Sequence, residues 1–215
     1  MNIKLLIEYK DYSGIESALK ENPALANEGI PYDEKNTTKA HPLHRICDAV
    51  YSKRITDEES VELAKIFLKH GADVNGNNPD ENKDSPLVAA ASLHADGLAL
   101  LYIDSGADIH HAGCHGGTAL HWAAWCGRDK VVKKLINAGG EINRRCKDFI
   151  STPLFWAIHG LKNGGPENIK NQVACAKLLV EAGADKTIPN IDGNTPFDLL
   201  NDQDTELKDL LRINY

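Results

Sequence analysis

The sequence predicts an all-α protein, a solenoid of stacked helix-turn-helix units with projecting hairpin-like fingers. Three observations predict it. A tetrad recurs as HPLH (41–44), SPLV (85–88), TALH (118–121), TPLF (152–155) and TPFD (195–198). A second motif closes an apolar helix as HGADVN (70–75), SGADIH (105–110), AGGEIN (138–143) and AGADKT (182–187). The two recur in register: Gly106 to Gly139 and Pro86 to Ala119 are both 33 residues, and Ala119 to Pro153 is 34. A fixed period of this size marks a supersecondary unit that cannot bury its apolar face alone and shares a core with its neighbours.

Each element has a local reason. MNIKLLIEYK (1–10) reads as the first helix of a degenerate first unit, without its tetrad, and GIESALKENPALAN (14–27) as the second. In the repeats that follow, Thr or Ser opens the tetrad and caps a helix N-terminus. Pro then takes the first helical position, where its missing N–H costs nothing. Paired small residues, Ala90-Ala91 and Ala123-Ala124, let neighbouring helices approach. In the second helix Val131, Val132, Leu135 and Ile136 fall at helical spacing and form one apolar stripe. Gly71, Gly106, Gly139 and Gly183 supply the left-handed residue that stops the helix. The Gly/Asn/Asp-rich segment after each stop suits a finger. The whole chain reads as one domain: a degenerate N-terminal repeat (1–38), four full repeats (39–192) and a C-terminal capping repeat (193–215).

Two spacings exceed the period. Pro42 to Gly71 is 29 residues and Pro153 to Gly183 is 30, against 20 for Pro86 to Gly106. The excess maps between the two helices of a repeat, onto the polar stretches YSKRITDEES (51–60) and LKNGGPENIK (161–170). A smaller excess sits in NNPDENKD (77–84). Inserted loops on a regular scaffold either carry function or are tolerated surface additions. Asp57, Glu58 and Glu59 read as solvated carboxylates. The acidic C-terminal run (Asp198, Asp202, Asp204, Glu206, Asp209) reads as a capping repeat's polar outer face, or as a surface for a basic partner.

Composition narrows the function classes. Apolar residues make up 42% of the chain and charged residues 26%, with a net charge of −7. An acidic chain repels phosphate backbones, so no nucleic-acid partner is expected. The N-terminus lacks the apolar core and small-residue cleavage site of a signal peptide. With five scattered cysteines, that predicts reduced thiols and a cytoplasmic setting, in which the sequon at Asn36 means little. The apolar stretch 85–103 is broken by His94 and Asp96 and reads as two short helices, so no membrane span is expected. GCHGG (113–117) lacks a following GK[ST], and no dinucleotide, zincin, nucleophile-elbow or Ca²⁺-loop pattern occurs.

The tetrad, the Gly-Ala-Asp helix end and the period together resemble the ankyrin repeat family, over roughly residues 39–211. The resemblance implies non-covalent protein binding along a concave face, centred on the third and fourth repeats. It implies that the tetrad histidines His121 and His44 are structural, hydrogen-bonding nearby backbone. It places Trp122 and Trp156 where the family has a large apolar core residue, whose loss to Ala is expected to cost about 3–5 kcal/mol. Finger tips and first-helix ends line the family's concave face; here these are Cys114, His115, Gly117, Trp125 and Cys126. Neighbouring repeats add Ser92 and Leu93 on one side, and Lys147, Asp148, Phe149 and His159 on the other. The implied partner is a protein, favoured if its surface is basic, and the chain reads as a monomer.

Within HHAGCHGGTALHWAAWCG (110–127), several residues invite a chemical reading. Zinc would use His111, Cys114 and His115, with Cys126 as a fourth ligand, but no paired C-x2-C or H-x3-H supports it. Cys126 with His115 or His159 offers a nucleophile and base, with no evident orienting group. No catalytic residue, metal or cofactor is therefore assigned. His110 occupies the Asn position of the helix-end motif. Cys47 and Cys175 read as small core residues. Trp125 is hard to seat in the same buried site as Trp122. It is either an exposed interface anchor, sharing a patch with Phe149, or is packed partly buried against the next repeat. A binder that neutralises a toxin or regulates an enzyme, and a thiol or metal enzyme built on Cys114, His115 and Cys126, stand as alternatives.

Overall fold

The computed structural model describes residues 2–32, 38–163 and 169–212. Asn36 of the sequon and residues 164–168 of the second long spacing lie outside the described residues. The chain divides into two compact units, Met1–Asp108 and Ile109–Tyr215. Both are built from consecutive helix pairs, and the fold class is all-α. No helix among the described residues is long and apolar enough to cross a membrane.

The first unit holds three helix pairs: α1 (Ile3–Glu8) with α2 (Tyr12–Glu21), α3 (Pro42–Tyr51) with α4 (Asp57–Lys69), and α5 (Pro86–Ser92) with α6 (Asp96–Asp104). The α2 helix ends in a 3-10 turn, Pro23–Ala26. Between the first and second pairs, β1 (Ile30–Pro31) pairs antiparallel with β2 (Lys39–Ala40) as a short finger. Ile15, Leu19, Leu43, Ile46, Leu63, Phe67, Leu87 and Leu98 form its core. Tyr102 is fully buried and donates its hydroxyl to the Leu43 carbonyl at 3.0 Å. The apolar run 85–103 thus becomes two short helices, because its polar interruption falls on the turn at Leu93–Ala95.

The second unit holds α7 (Ala119–Trp125) with α8 (Asp129–Asn137) and α9 (Pro153–Asn163) with α10 (Ile169–Glu181). A 3-10 turn (Pro196–Leu199) and α11 (Thr205–Leu211) close it. Val131, Val132 and Leu135 are buried, whereas Ile136 is half-buried at the stripe's margin. Each buried aliphatic side chain contributes about 1.5–3 kcal/mol through removal from water. The terminal acids are engaged, within their own repeat and with the preceding one. Asp198 accepts from the Thr195 N–H at 2.7 Å, Asp202 pairs with Lys208 at 2.8 Å, and Asp204 pairs with Lys162.

The tetrads cap as their chemistry requires. Ser85 Oγ accepts from the Val88 N–H and Thr152 Oγ1 from the Phe155 N–H, both at 3.3 Å. Thr118 and His121 form a reciprocal box: the Thr118 N–H donates to His121 Nδ1 at 3.2 Å. The other His121 ring nitrogen meets the Arg144 carbonyl at 3.1 Å. His44 departs from that pattern. Its tetrad opens with His41 instead of Thr, and His41 Nδ1 accepts from the Leu43 N–H to make the cap. His44 Nε2 faces the Asp48 carboxylate at 3.9 Å. Gly71, Gly106, Gly139 and Gly183 stop their helices at φ of 85°, 83°, 91° and 95°.

A side-chain bracket repeats between successive helix-end motifs. Asn27 Oδ1 accepts from the Asp73 N–H, Asn75 Oδ1 from Asp108 and Asn143 Oδ1 from Asp185, at 2.7, 2.7 and 2.8 Å. His110 stands at this position in the second unit. Its Nδ1 faces Glu141 Oε2 at 3.4 Å, and Arg144 donates to its carbonyl at 2.8 Å.

The described residues of the long spacings lie largely in helix. The α3 and α4 helices have 10 and 13 residues against 7 and 9 in α5 and α6. In the 51–60 stretch, Tyr51 ends α3 and Asp57–Ser60 open α4, so only Ser52–Thr56 connect them. A capping box fixes that start: Glu59 N–H donates to Thr56 Oγ1 at 3.2 Å and Thr56 N–H to the Glu59 carboxylate at 2.8 Å. Two carboxylates expected to be solvated therefore hold structure, since Asp57 also accepts from the Gly97 N–H at 2.7 Å. The α9 and α10 helices, of 11 and 13 residues, are lengthened in the same way.

The α7 and α9 helices pack unusually closely at Gly160. A Cβ there would collide with the Trp125 carbonyl, which also accepts from Gln172 Nε2 at 2.7 Å. Gly160→Ala is expected to destabilise the protein by about 1–3 kcal/mol despite Ala's better helix propensity, because the obstacle is backbone. The denaturant midpoint measures it; an unchanged or raised midpoint contradicts the close approach.

Burial lowers the His121 pKa from 6.5 to about 4, and His41 moves the same way. The unfolded chain then binds more protons than the folded one between those values, so stability is complete above pH 6.5 and falls as pH drops. Between pH 6.5 and 5, above the range where most carboxylates titrate, His121 alone removes about 2 kcal/mol. Thermal melts across that window test this, with an NMR titration of His121; a His121 midpoint near 6.5 contradicts it.

Candidate functional site

The second unit gathers its aromatic side chains around Trp156. The Trp156 indole is 4% exposed, and its Nε1–H donates to Ser151 Oγ at 3.0 Å. Trp122 lies 5.1 Å from it at 82° and Trp125 5.9 Å at 72°. His121 stands at 5.3 Å and Phe149 at 6.1 Å, both edge to face. Such pairs contribute about 0.5–1.5 kcal/mol each beyond their burial.

Trp122 and Trp125 therefore do share a site. Three residues apart on α7, they lie on one face, and both turn edge-on to the indole that α9 inserts. Trp156 takes the buried place expected for a core residue and shows a remaining edge to the recess, while Trp122 is half-buried and forms wall. Trp125 fills both roles proposed for it. It packs on Trp156 and stands 4.8 Å from His159, yet it also faces open space.

That space is a recess of about 300 Å³. Its helical wall is Trp122 and Trp125 from α7 with Phe155, Trp156 and His159 from α9. Its other wall is made by fingers: His115 from the first, Phe149 and Ser151 from the second, and Asn190, Ile191 and Asp192 from the third. The fingers are tied in series. The Lys147 and Asp148 N–H groups donate to the His115 carbonyl at 3.1 and 3.2 Å, and the Ile191 N–H donates to the Phe149 carbonyl at 2.9 Å. The three tips so held are a left-handed His115 (φ 60°), Phe149 (44% exposed) and Ile191 (63% exposed).

The charges at this site are few. His115 Nδ1 meets Asp148 Oδ2 at 2.9 Å, and its ring lies 5.3 Å from Phe149. Desolvation lowers the His159 pKa, which keeps that ring neutral at physiological pH. Asp192 lines the recess with one oxygen accepting from Asn190 Nδ2 at 3.2 Å. Neither lysine nor arginine is among its lining residues.

Of the eleven residues expected to line a binding face, His115, Trp125, Phe149 and His159 meet in the recess, whereas Gly117 and Ser92 are not among its lining residues. Lys147 and Asp148 are exposed beside it on the same finger as Phe149. Cys114 is exposed on its own finger and Cys126 caps α7; neither lines the recess. Leu93 closes α5 in the first unit and has no place in this recess. Phe155, Ser151, Asn190, Ile191 and Asp192 were not anticipated, although the exposed Ile191 of the IDG finger tip was a readable signal. Among the described residues no three His, Cys, Asp or Glu side chains gather as a metal-binding set, and His115 is turned to Asp148. All five cysteines are unbridged, with Cys47, Cys146 and Cys175 buried.

Comparison with known proteins places this architecture. A family model for ankyrin repeats (three copies) matches residues 58–146 and 110–190. The chain is 30% identical over 140 residues to an ankyrin repeat protein of Variola virus, covering 64% of this chain and 24% of that one. It is 31% identical over 137 residues to neurogenic locus notch homolog protein 1 of Xenopus tropicalis, covering 63% and 5%. It is 32% identical over 148 residues to protein phosphatase 1 regulatory subunit 12A of Mus musculus, covering 67% and 12%. The chain thus spans a quarter or less of the length of these relatives. Ankyrin repeats are generally protein–protein interaction modules, and by motif, fold and family match this chain belongs to the ankyrin repeat family.

Proposed function

We propose that the protein is a non-catalytic binding module that captures a protein partner through the second unit, on the face formed by the aromatic recess and the finger tips beside it. One observation carries the reading. All three tryptophans of the chain line a single recess whose rim exposes Phe149 and Ile191. Isolated exposed apolar residues need no explanation, but an aromatic concavity edged by exposed apolar tips is the form of an interface hot spot. Cys114, Lys147 and Asp148 extend the same surface as a polar rim. The net charge of −7 favours partners with basic surfaces, by on-rate more than by affinity. The reading makes the protein a soluble cytoplasmic monomer.

The test compares proteins captured from a lysate by the full chain and by a Phe149→Ala, Ile191→Ser variant, with Tyr9→Ala in the first unit as control. Both tip residues are exposed, so the double variant is expected to melt within a few degrees of the wild type. It should lose at least about 2 kcal/mol of binding, a drop of roughly thirtyfold in affinity for the captured partner. Unchanged capture by the tip variant, or equal loss with Tyr9→Ala, contradicts the assignment.

A further inference from the structure

Resting on the docking reading above, we propose that the group the recess accepts is an arginine side chain of the partner, its guanidinium laid against the indole wall and its charge met by Asp192. The wall comes first. Trp122, Trp125 and Trp156 present a concentrated π-surface, and such surfaces attract cations, Trp most strongly. The charge balance comes second. Asp192 is a carboxylate in the lining, no lysine or arginine accompanies it, and His159 is kept uncharged by desolvation. Asp148, on the finger that carries Phe149, is already turned to His115. An anionic occupant therefore meets a like charge, and a purely apolar one would strip water from a carboxylate that keeps its charge with the Asn190 amide as side-chain partner.

The chemistry separates arginine from lysine. A primary ammonium is a strongly hydrated point charge and needs several acceptors to leave water. The acceptors here are few, and Ser151 Oγ already takes the Trp156 N–H. A guanidinium is planar, weakly hydrated, stacks on aromatic rings and binds a carboxylate through two parallel N–H bonds. The Asn190 amide uses one acceptor position on Asp192, and a carboxylate offers about four. At about 300 Å³ the recess stands at the small end of ligand pockets, which fits one side chain better than a cofactor.

Because all three tryptophans line the recess, intrinsic tryptophan emission of the full chain reports on this site alone. The probes are the N-acetyl methylamides of arginine, lysine and leucine, and tetramethylammonium chloride. The arginine probe is expected to give a saturable change with a half-point in the millimolar range, at least about fivefold below that of lysine. Asp192→Asn should raise the arginine half-point about tenfold, as expected for losing one charged partner. Leucine or tetramethylammonium saturating as readily as arginine, or Asp192→Asn changing nothing, overturns the assignment. Loss of partner capture in the Phe149→Ala, Ile191→Ser variant with no saturation by arginine overturns it while leaving the docking reading in place. Arginine saturation with partner capture unaffected by those substitutions supports the arginine site and removes the docking reading.

Discussion

The second unit depends on the seating of one indole. Trp156 reaches from α9 toward α7, anchored by its N–H on Ser151 and held on several sides by Trp122, Trp125, His121 and Phe149. Packing of this kind is directional, since edge-to-face rings lose their preference when either tilts. It also makes two repeats and a finger mutually dependent. The close approach at Gly160 fixes α9 against α7, and the Gln172 bond to the Trp125 carbonyl ties α10 to the same end of α7. The wall of the recess is thus a by-product of how the repeats are locked together, and its shape is set before any partner arrives. A preformed wall spares a partner much of the ordering entropy that binding otherwise costs.

The same economy explains the histidines that first look chemical. His121 is spent on a cap at one ring nitrogen and on a finger carbonyl at the other. His110 takes over an asparagine's bracketing position, and His115 is tied to Asp148 on the neighbouring finger. Each is satisfied by a group that the repeat geometry brings to it. What remains in the recess is aromatic surface and the Asp192 carboxylate, the groups that the proposed docking uses.

The repeat frame was legible in the chain because its signals are local. A Thr-Ala-Leu-His cap, a Gly at the helix stop and a period of 33 residues each act within one unit. The long spacings read as loops in the sequence, since polar composition does not separate a solvated loop from the exposed face of a longer helix. Thr56 and Glu59, three apart, were the signal that α4 starts there. The site was half legible. His115, Trp125, Phe149 and His159 follow from repeat position, whereas Ile191 and Asp192 come from a finger some forty residues beyond that of Phe149, tied to it by the Ile191 N–H on the Phe149 carbonyl and by the Arg145 guanidinium on the Pro189 carbonyl. The sequence alone sets Trp122 and Trp125 apart, because two indoles crowd one core. A third indole from the next repeat resolves the crowding by taking the buried place itself.

Hydrogen exchange at the three indole N–H groups in the free protein tests the central claim most directly. The account predicts that the Trp156 N–H exchanges at least about tenfold more slowly than the Trp125 N–H, and that Ser151→Ala removes that protection while the fold persists. Three indoles exchanging alike, or Trp156 protection indifferent to Ser151, would contradict a wall built on one seated tryptophan.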